Sequence, residues 1–441
     1  MTRETILIID FGASTTQLIA RQIRQSHVYC EIIPASVSED KIQNFQPKGL
    51  VFSDMKPYGM SKNKADWQKI ASNFNIPVLT IGESQKLLPD DFANSFSCEF
   101  SAKSNEWKGI VEAFLQKCHC SRNWTMEAFA EATIRELRGK IGGERVICGL
   151  SGGVDSAVVA ALLSKAVGEQ LHCIFVDTGL MRKGEIDAVA AEFSNHFKTN
   201  LMVVKAESRF LKELAGVTEP QTKRKKIGHL FIDVFSDEAS KIQGARFLAQ
   251  GTVYPDILES GGTSDTPAAT IKLHHNVGGL PDDLEFDLVE PLRDLFKDEV
   301  RQLGSYLGLP DEIVWRHPFP GPGLAVRCLG EVTKERLDVL READAIVVDE
   351  IKKAGLYRET SQVFAILLPV QSVGVTDEGR TYESAVVIRC IVTDDFMHAD
   401  WVRLPYHLLA TISERVIKEV NGVNRVVYDI STKPPATIEW E

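Results

Sequence analysis

Six residues, Ser151-Gly152-Gly153-Val154-Asp155-Ser156, have the makeup of an anion cradle. Glycines let the backbone come close to an anion and take up positive φ. The apolar run RVICGL (145–150) before them, ending in Gly149 and Leu150, reads as a strand. DSAVVAALLSKAVG, which starts at Asp155, reads as a helix. A helix start offers unpaired N–H groups and the positive end of its dipole. Ser151 and Ser156 add hydroxyl donors. The run has neither the lysine nor the spacing of a Walker A loop, so it holds phosphates in another way. Asp155 puts negative charge beside them. Two roles fit it: a ligand for a Mg²⁺ ion that bridges the phosphates, or a cap on the helix.

Three further stretches carry chemistry. HPFPGPG (317–323) is a stiff loop in which three prolines fix φ and glycines leave backbone N–H groups uncovered. It can surround a flat base or a phosphate, or serve as an interdomain linker. TKRKKIGHLF (222–231) places four basic residues in a row, able to meet phosphates when a lid closes or to lie solvated on a surface. Cys118-His119-Cys120 has the wrong spacing for a tetrahedral zinc site and reads as structural.

The elements that must position these residues follow from the apolar pattern. TILIIDF (5–11), YCEIIPA (29–35), GLVFSD (49–54) and PVLTIGE (77–83) are short apolar runs bounded by turn residues, as buried parallel strands are. RVICGL, LHCIFVDT (171–178), LMVVKA (201–206) and RFLAQGT (246–252) alternate with helical stretches, the pattern of a doubly wound parallel sheet. Beyond the Pro/Gly cluster, VFAILLPV (363–370), SAVVIRCIVT (384–393) and NRVVYDIS (424–431) read as strands. HLLATISERVIKEV (407–420) reads as an amphipathic helix with Leu409, Ile412, Val416, Ile417 and Val420 inside. The expected fold is therefore α/β: a doubly wound parallel-sheet domain at 118–319, preceded by a smaller α/β domain at 1–117 and followed by an α+β domain at 320–441.

A chain of 441 residues is too long for one core. Its net charge of −11 argues against general nucleic-acid binding. No apolar run approaches the length of a membrane span, and residues 1–10 do not read as a signal peptide. Eight cysteines, mostly in apolar runs, fit a reduced, cytoplasmic protein.

The motifs also carry a resemblance. S-G-G-x-D-S after a buried strand is similar to the loop of the ATP pyrophosphatases. GTVYPDILES (251–260), IKLHHNVGGLP (271–281), LVEPLRDLFKDEVRQLG (288–304), HPFPGPGLAVR (317–327) and YDISTKPPATIEWE (428–441) together resemble the GMP synthetase family, from about residue 107 to residue 441. The resemblance implies ATP cleavage between the α and β phosphates, with Mg²⁺ as the metal on Asp155. Residues 149–156 would bind ATP, with Ser151, Asp155 and Ser156 catalytic and Val176 and Leu180 as apolar walls at the adenine and ribose. It implies XMP binding by Arg224, Pro320, Gly321, Pro322, Gly323, Gln362, Glu378, Arg380, Lys433, Thr437 and Glu439, and a homodimer through residues 320–441. Glu378 stands where the family has Asp. His274 and His275 fit either a structural role or one near the site.

The start of the chain, ILIIDFGASTTQLIARQIRQ and VYCEIIP, resembles a class I glutamine amidotransferase of flavodoxin-like fold. Such a domain needs a cysteine thiolate on a strand–turn–helix elbow, with a histidine base and an orienting glutamate. Here the aligned stretch is TIGESQK (80–86), with Gly82 where the cysteine would stand; the His-Pro-Glu run is missing and the domain is short. The expected reaction is therefore ATP, XMP and ammonia to AMP, pyrophosphate and GMP, without intrinsic glutaminase. Free ammonia is the favoured nitrogen source and a separate glutaminase the alternative. A lid around 208–232 would keep water from the intermediate. Two rivals stand beside this: another ATP pyrophosphatase, such as NAD synthetase or a tRNA-modifying enzyme, and a non-catalytic regulator.

Overall fold

The computed structural model describes residues 4–13, 15–55, 67–89, 92, 94–100, 106–196, 200–259, 286–377, 379–393 and 396–441. The chain divides into two compact units. One comprises Met1–Arg135, Val253–Pro267 and Arg293–Glu299; the other comprises Glu136–Thr252, Ala268–Leu292 and Val300–Glu441. Among the described residues no helix is long and apolar enough to cross a membrane.

The first unit is built on a parallel sheet of β1 (Thr5–Asp10), β2 (Tyr29–Pro34), β3 (Gly49–Phe52), β4 (Val78–Ile81) and β5 (Ser95–Cys98), in the order β2-β1-β3-β4-β5. This is the flavodoxin-like order. Four of the strands coincide with the apolar runs. The fifth, SFSC, lacks such a run and is a strand because β4 offers it a free edge, with Val78 opposite Ser95. Cys118 packs in the apolar core of this unit, and no group of three or more metal-ligating side chains occurs among the described residues. Arg24, on the helix Thr16–Gln25, is buried and faces the Glu299 carboxylate at 3.3 Å. Its guanidinium lies over Tyr29 (4.2 Å) and Trp124 (4.7 Å) and donates to the Cys30 carbonyl. A buried cation needs partners of this kind to offset its desolvation.

The second unit holds two sheets. The parallel one contains β6 (Arg145–Leu150), β7 (Leu171–Asp177), β8 (Asn200–Lys205), β9 (Ala245–Ala249) and β10 (Asp287–Val289), in the order β10-β9-β6-β7-β8. The winding reverses between β6 and β9, which makes the crevice beyond their carboxyl ends the place for a ligand. The other sheet is a long antiparallel hairpin, β11 (Gln362–Thr376) and β12 (Gly379–Val392), with β13 (Asp400–Trp401) and β14 (Val423–Tyr428) beside β12. The helix Tyr406–Glu419 makes the crossover that lets β14 run parallel to β12. It buries Leu408, Ile412 and Val416, and Val420 just after it. Ile417, expected inside, is 45% exposed, because the helix turns its face toward Leu408 instead.

Candidate active site

The phosphate loop lies at the reversal of the parallel sheet. β6 delivers it, and the helix Val154–Val167 begins straight after Gly153. That helix is mostly apolar and buries Val154, Ala166 and every residue from Ser156 to Leu163, leaving Asp155 and Ser164 half-buried and Lys165 exposed, as suits a helix inside a layered domain. Gly152 has φ of +77°, which an L side chain rarely adopts. Gly153 caps the helix without a side chain, so the first N–H groups receive no capping oxygen from it. Ser151 Oγ and Ser156 Oγ are 3.1 Å apart, and Ser156 Oγ donates to the Gly153 carbonyl at 3.1 Å. The hydroxyls are thereby held at the mouth of the helix.

Asp155 is half-buried in the first turn of this helix. Gly251, just past β9, approaches it so closely that an added Cβ would lie 3.1 Å from the Asp155 Cβ. The two loops at the sheet reversal thus meet at Asp155. Mg²⁺ prefers oxygen ligands and keeps most of its shell as water and substrate phosphate, so one carboxylate beside a phosphate loop fits it.

Leu180 and Val176, the two expected apolar walls, are both buried. The turn carrying Leu180 is tied to the Pro/Gly loop. Leu324 N donates to the Leu180 carbonyl at 2.8 Å, and a Cβ on Gly323 would come within 2.4 Å of that oxygen. Gly323 also has φ of +62°, so only glycine suits this close approach. The loop begins at His317, which stacks on Tyr357 with ring centroids 3.8 Å apart. His317 Nε2 is 2.7 Å from the Tyr357 carbonyl, so that nitrogen carries the proton and donates. Nδ1 is buried with no partner among the described residues. Burial holds the pKa of His317 down at about 4, against the Tyr357 carbonyl, which favours the charged form.

The tail joins the same region. Glu439 is held two-pronged by the buried Arg327, at 3.0 Å from Nε and 2.7 Å from Nη2. Arg327 lies 3.9 Å over the Phe364 ring, and its burial lowers its pKa. Gln362 Nε2 donates both to Glu439 (3.0 Å) and to the Pro318 carbonyl (3.1 Å). Arg224 donates to Glu441 O at 2.5 Å, and Lys433 to the Phe396 carbonyl at 2.7 Å. Arg389, fully buried, donates to the Thr437 carbonyl at 3.2 Å.

Of the expected XMP residues, Gln362 and Glu439 therefore touch each other and Gln362 touches the Pro/Gly loop that holds Pro320, Gly321, Pro322 and Gly323. Arg224, Lys433 and Thr437 are each tied to the tail or to the segment beside it. Arg380 stands apart, exposed near the far end of the hairpin and opposite Val375. Glu378, His274 and His275, with the stretch 271–281, lie outside the described residues.

The basic run is corrected in part. It lies on the helix Pro220–Ala239, whose turn spreads the four cations over different sides. Lys223 is fully buried and donates to the carbonyls of Ala325 (3.1 Å) and Cys328 (2.9 Å) and to Glu441 Oε2 (2.5 Å). It is a structural tie and not a phosphate ligand. Lys226 pairs with Glu213, and Lys225 is exposed. Three further side chains, Arg316, Glu185 and Arg327, also bear on this region. Arg327 was visible at the end of HPFPGPGLAVR; nothing in the sequence pairs Arg316 with Glu185.

In the first unit the elbow survives without its nucleophile. Gly82 follows β4 directly and has φ of +56°. A Cβ there would lie 2.4 Å from Asp54 Oδ1, and Glu83 N donates to that same oxygen at 3.0 Å. Cys98 is buried and its thiol pKa is pushed up to about 11, so it is no substitute thiolate.

A doubly wound sheet with S-G-G-x-D-S at its reversal defines an ATP pyrophosphatase. Residues 126–221 match the family described as NAD synthase, and residues 349–440 match GMP synthase C terminal domain. The chain belongs to the GMP synthase family. It is 46% identical to the GMP synthase (glutamine-hydrolyzing) of Brachyspira hyodysenteriae over 510 aligned positions, covering 99% of each chain. It is equally similar, at 46% with 99% of each covered, to that of Carboxydothermus hydrogenoformans. The alignments exceed the chain's 441 residues, so they open gaps in it. Among solved structures it is similar to an NH3-dependent NAD synthetase from Campylobacter jejuni, at 17% identity over 43% of this chain and 76% of that one, with a TM-score of 0.32.

Proposed function

We propose that this chain makes GMP from XMP, ATP and ammonia through an adenyl-XMP intermediate, and that it hydrolyses no glutamine itself. The 2-oxygen of XMP attacks the α-phosphorus of ATP and pyrophosphate leaves. Ammonia then adds at C2, and AMP departs with that oxygen. The backbone N–H groups at the helix start and the hydroxyls of Ser151 and Ser156 would stabilise the departing pyrophosphate, the Ser151 and Gly153 N–H groups donating instead to Ser156 Oγ and Ser151 Oγ. Asp155 would hold Mg²⁺, which supplies charge neutralisation on the leaving group when bound. Val176 and Leu180 would flank the nucleoside of ATP. Arg224, Pro320, Gly321, Pro322, Gly323, Gln362, Glu378, Lys433, Thr437 and Glu439 would form the XMP site, from which Arg380 stands apart at the far end of the hairpin.

The absence of glutaminase rests on one observation: the elbow position is a glycine, and an Asp54 carboxylate takes up the room a nucleophile's Cβ would need. The same carboxylate occupies the Glu83 N–H, a donor that an oxyanion would use. Free ammonia is the preferred donor, and a separate glutaminase remains the second source. Purified protein with ATP, Mg²⁺, XMP and ammonium is expected to form GMP and pyrophosphate. Glutamine in place of ammonium should give a rate at least about 100-fold lower, since loss of a nucleophile costs orders of magnitude. Turnover with glutamine alone by the pure chain would overturn the reading of Gly82.

The protein is proposed to work in the cytoplasm as a homodimer through residues 320–441. One face of the β11–β12 hairpin supports the dimer, because Val373, Val375 and Tyr382 on it are 51%, 81% and 60% exposed. Sedimentation velocity is expected to give the mass of two chains. A monomer across micromolar concentrations would rule this out.

A further inference from the structure

The phosphate loop contains a Gly-Gly peptide, the kind most easily turned over, because neither residue has a Cβ to restrict it. Its direction matters. In a trans peptide the Gly152 C=O and the Gly153 N–H point to opposite sides. One orientation offers a donor to an anion, and the other offers a carbonyl oxygen that repels it.

The structure ties this peptide from outside the loop. Arg316 Nη1 donates to the Gly152 carbonyl at 2.7 Å and to Glu185 Oε1 at 2.9 Å. Glu185 is itself buried, with its other oxygen accepting from Arg182 N at 3.0 Å. Arg316 directly precedes the Pro/Gly loop, and Glu185 opens the helix Glu185–His196 that follows the turn holding Leu180. One guanidinium thus connects the phosphate loop, the turn after β7 and the start of the Pro/Gly loop. A bond from a cation, locked by a buried carboxylate, is among the stronger hydrogen bonds a carbonyl accepts. Any Cβ on Gly152 would sit 3.4 Å from both Arg316 Nη1 and Glu185 Oε1, so the pair packs directly on the loop.

We infer that Arg316, held by Glu185, is a positioning residue that fixes the Gly152–Gly153 peptide so that the Gly152 carbonyl is turned away from the leaving pyrophosphate and the Gly153 N–H, 3.3 Å from Ser151 Oγ, is on the opposite side. This rests on reading 151–156 as the pyrophosphate loop. Arg316 acts through the loop, so its loss falls on pyrophosphate handling and not on XMP.

The test compares Arg316→Gln, Arg316→Lys and Glu185→Gln with the unaltered chain, and with Arg358→Gln as a nearby control. Arg358 pairs with Asp311 and lies over the Trp315 ring. Arg316→Gln is expected to lower kcat about 30-fold, somewhat less than the loss of a direct oxyanion donor. Product inhibition by pyrophosphate should weaken by a similar factor, while KM for XMP stays within about 2-fold. Both bonds leave the single nitrogen Nη1, and a lysine ammonium can donate to two acceptors but sits on a shorter side chain, so Arg316→Lys should recover part of the rate. Glu185→Gln should fall between, and Arg358→Gln should match the unaltered chain. Unchanged kcat and pyrophosphate inhibition in Arg316→Gln would overturn the inference, as would a loss confined to KM for XMP. If Arg316→Gln does not fold, Glu185→Gln decides by the same two readouts. If the unaltered chain makes no GMP, the functional reading fails, and calorimetry with magnesium pyrophosphate decides the inference separately. Binding about 10-fold weaker in the variant supports it, and equal binding overturns it.

Discussion

Replacing Asp155 with asparagine is expected to cut ammonium-driven GMP formation by about three orders of magnitude while the chain stays folded. The size follows from what the carboxylate would do. Neutralising a leaving pyrophosphate with a bound cation is worth several kcal/mol, and each 1.36 kcal/mol is about tenfold in rate. Asparagine keeps the shape but binds Mg²⁺ poorly. A helix-capping role predicts something different. Removing one negative charge from a helix's first turn costs only about 0.3–1 kcal/mol of stability and would leave turnover near normal. The rate at saturating ATP and XMP, taken across a magnesium titration, separates the two. A variant within about tenfold of the normal rate would assign Asp155 to the helix alone.

The second large effect concerns acid. His317 carries its ring proton on Nε2 toward the Tyr357 carbonyl, with Nδ1 buried and without a partner among the described residues. Protonating the ring would put a charge in a buried place near the Arg182 and Arg301 cations, with the Tyr357 and Thr360 backbone to favour it. Burial accordingly holds its pKa in the folded chain at about 4, below the ordinary value of 6.5. The sign follows directly. The folded state binds fewer protons than the unfolded one between these values, so stability rises with pH there. The contribution is complete above pH 6.5 and is lost as pH falls toward 4. Its size is roughly 3 kcal/mol. His317→Gln keeps an N–H for the Tyr357 carbonyl and cannot be protonated. Chemical unfolding of the unaltered chain should therefore steepen relative to this variant between about pH 6.5 and 4. Parallel curves would show that His317 is not held neutral. The Pro/Gly loop starts at this residue, so activity should fade over the same range.

Much of the site could be read from the sequence because it is local. Ser151 to Ser156 sit between an apolar run and a helix-forming run, and the strand, loop and helix follow from those neighbours alone. The glycine at 82 is likewise a fact of composition: without a side chain there is no nucleophile, whatever the fold. Tertiary structure was needed wherever a residue's role is set by a distant partner. SFSC is a strand only because β4 leaves an edge open, and Ile417 lies outside only because the helix rotates toward Leu408. Lys223 looks like one more surface cation until Glu441 and two carbonyls close around it. Arg316 and Gly152 are 164 positions apart, and no periodicity can join them. Local preference acts over a few residues, whereas the placing of a buried charge or a peptide plane is decided by the packing of segments far apart in the chain.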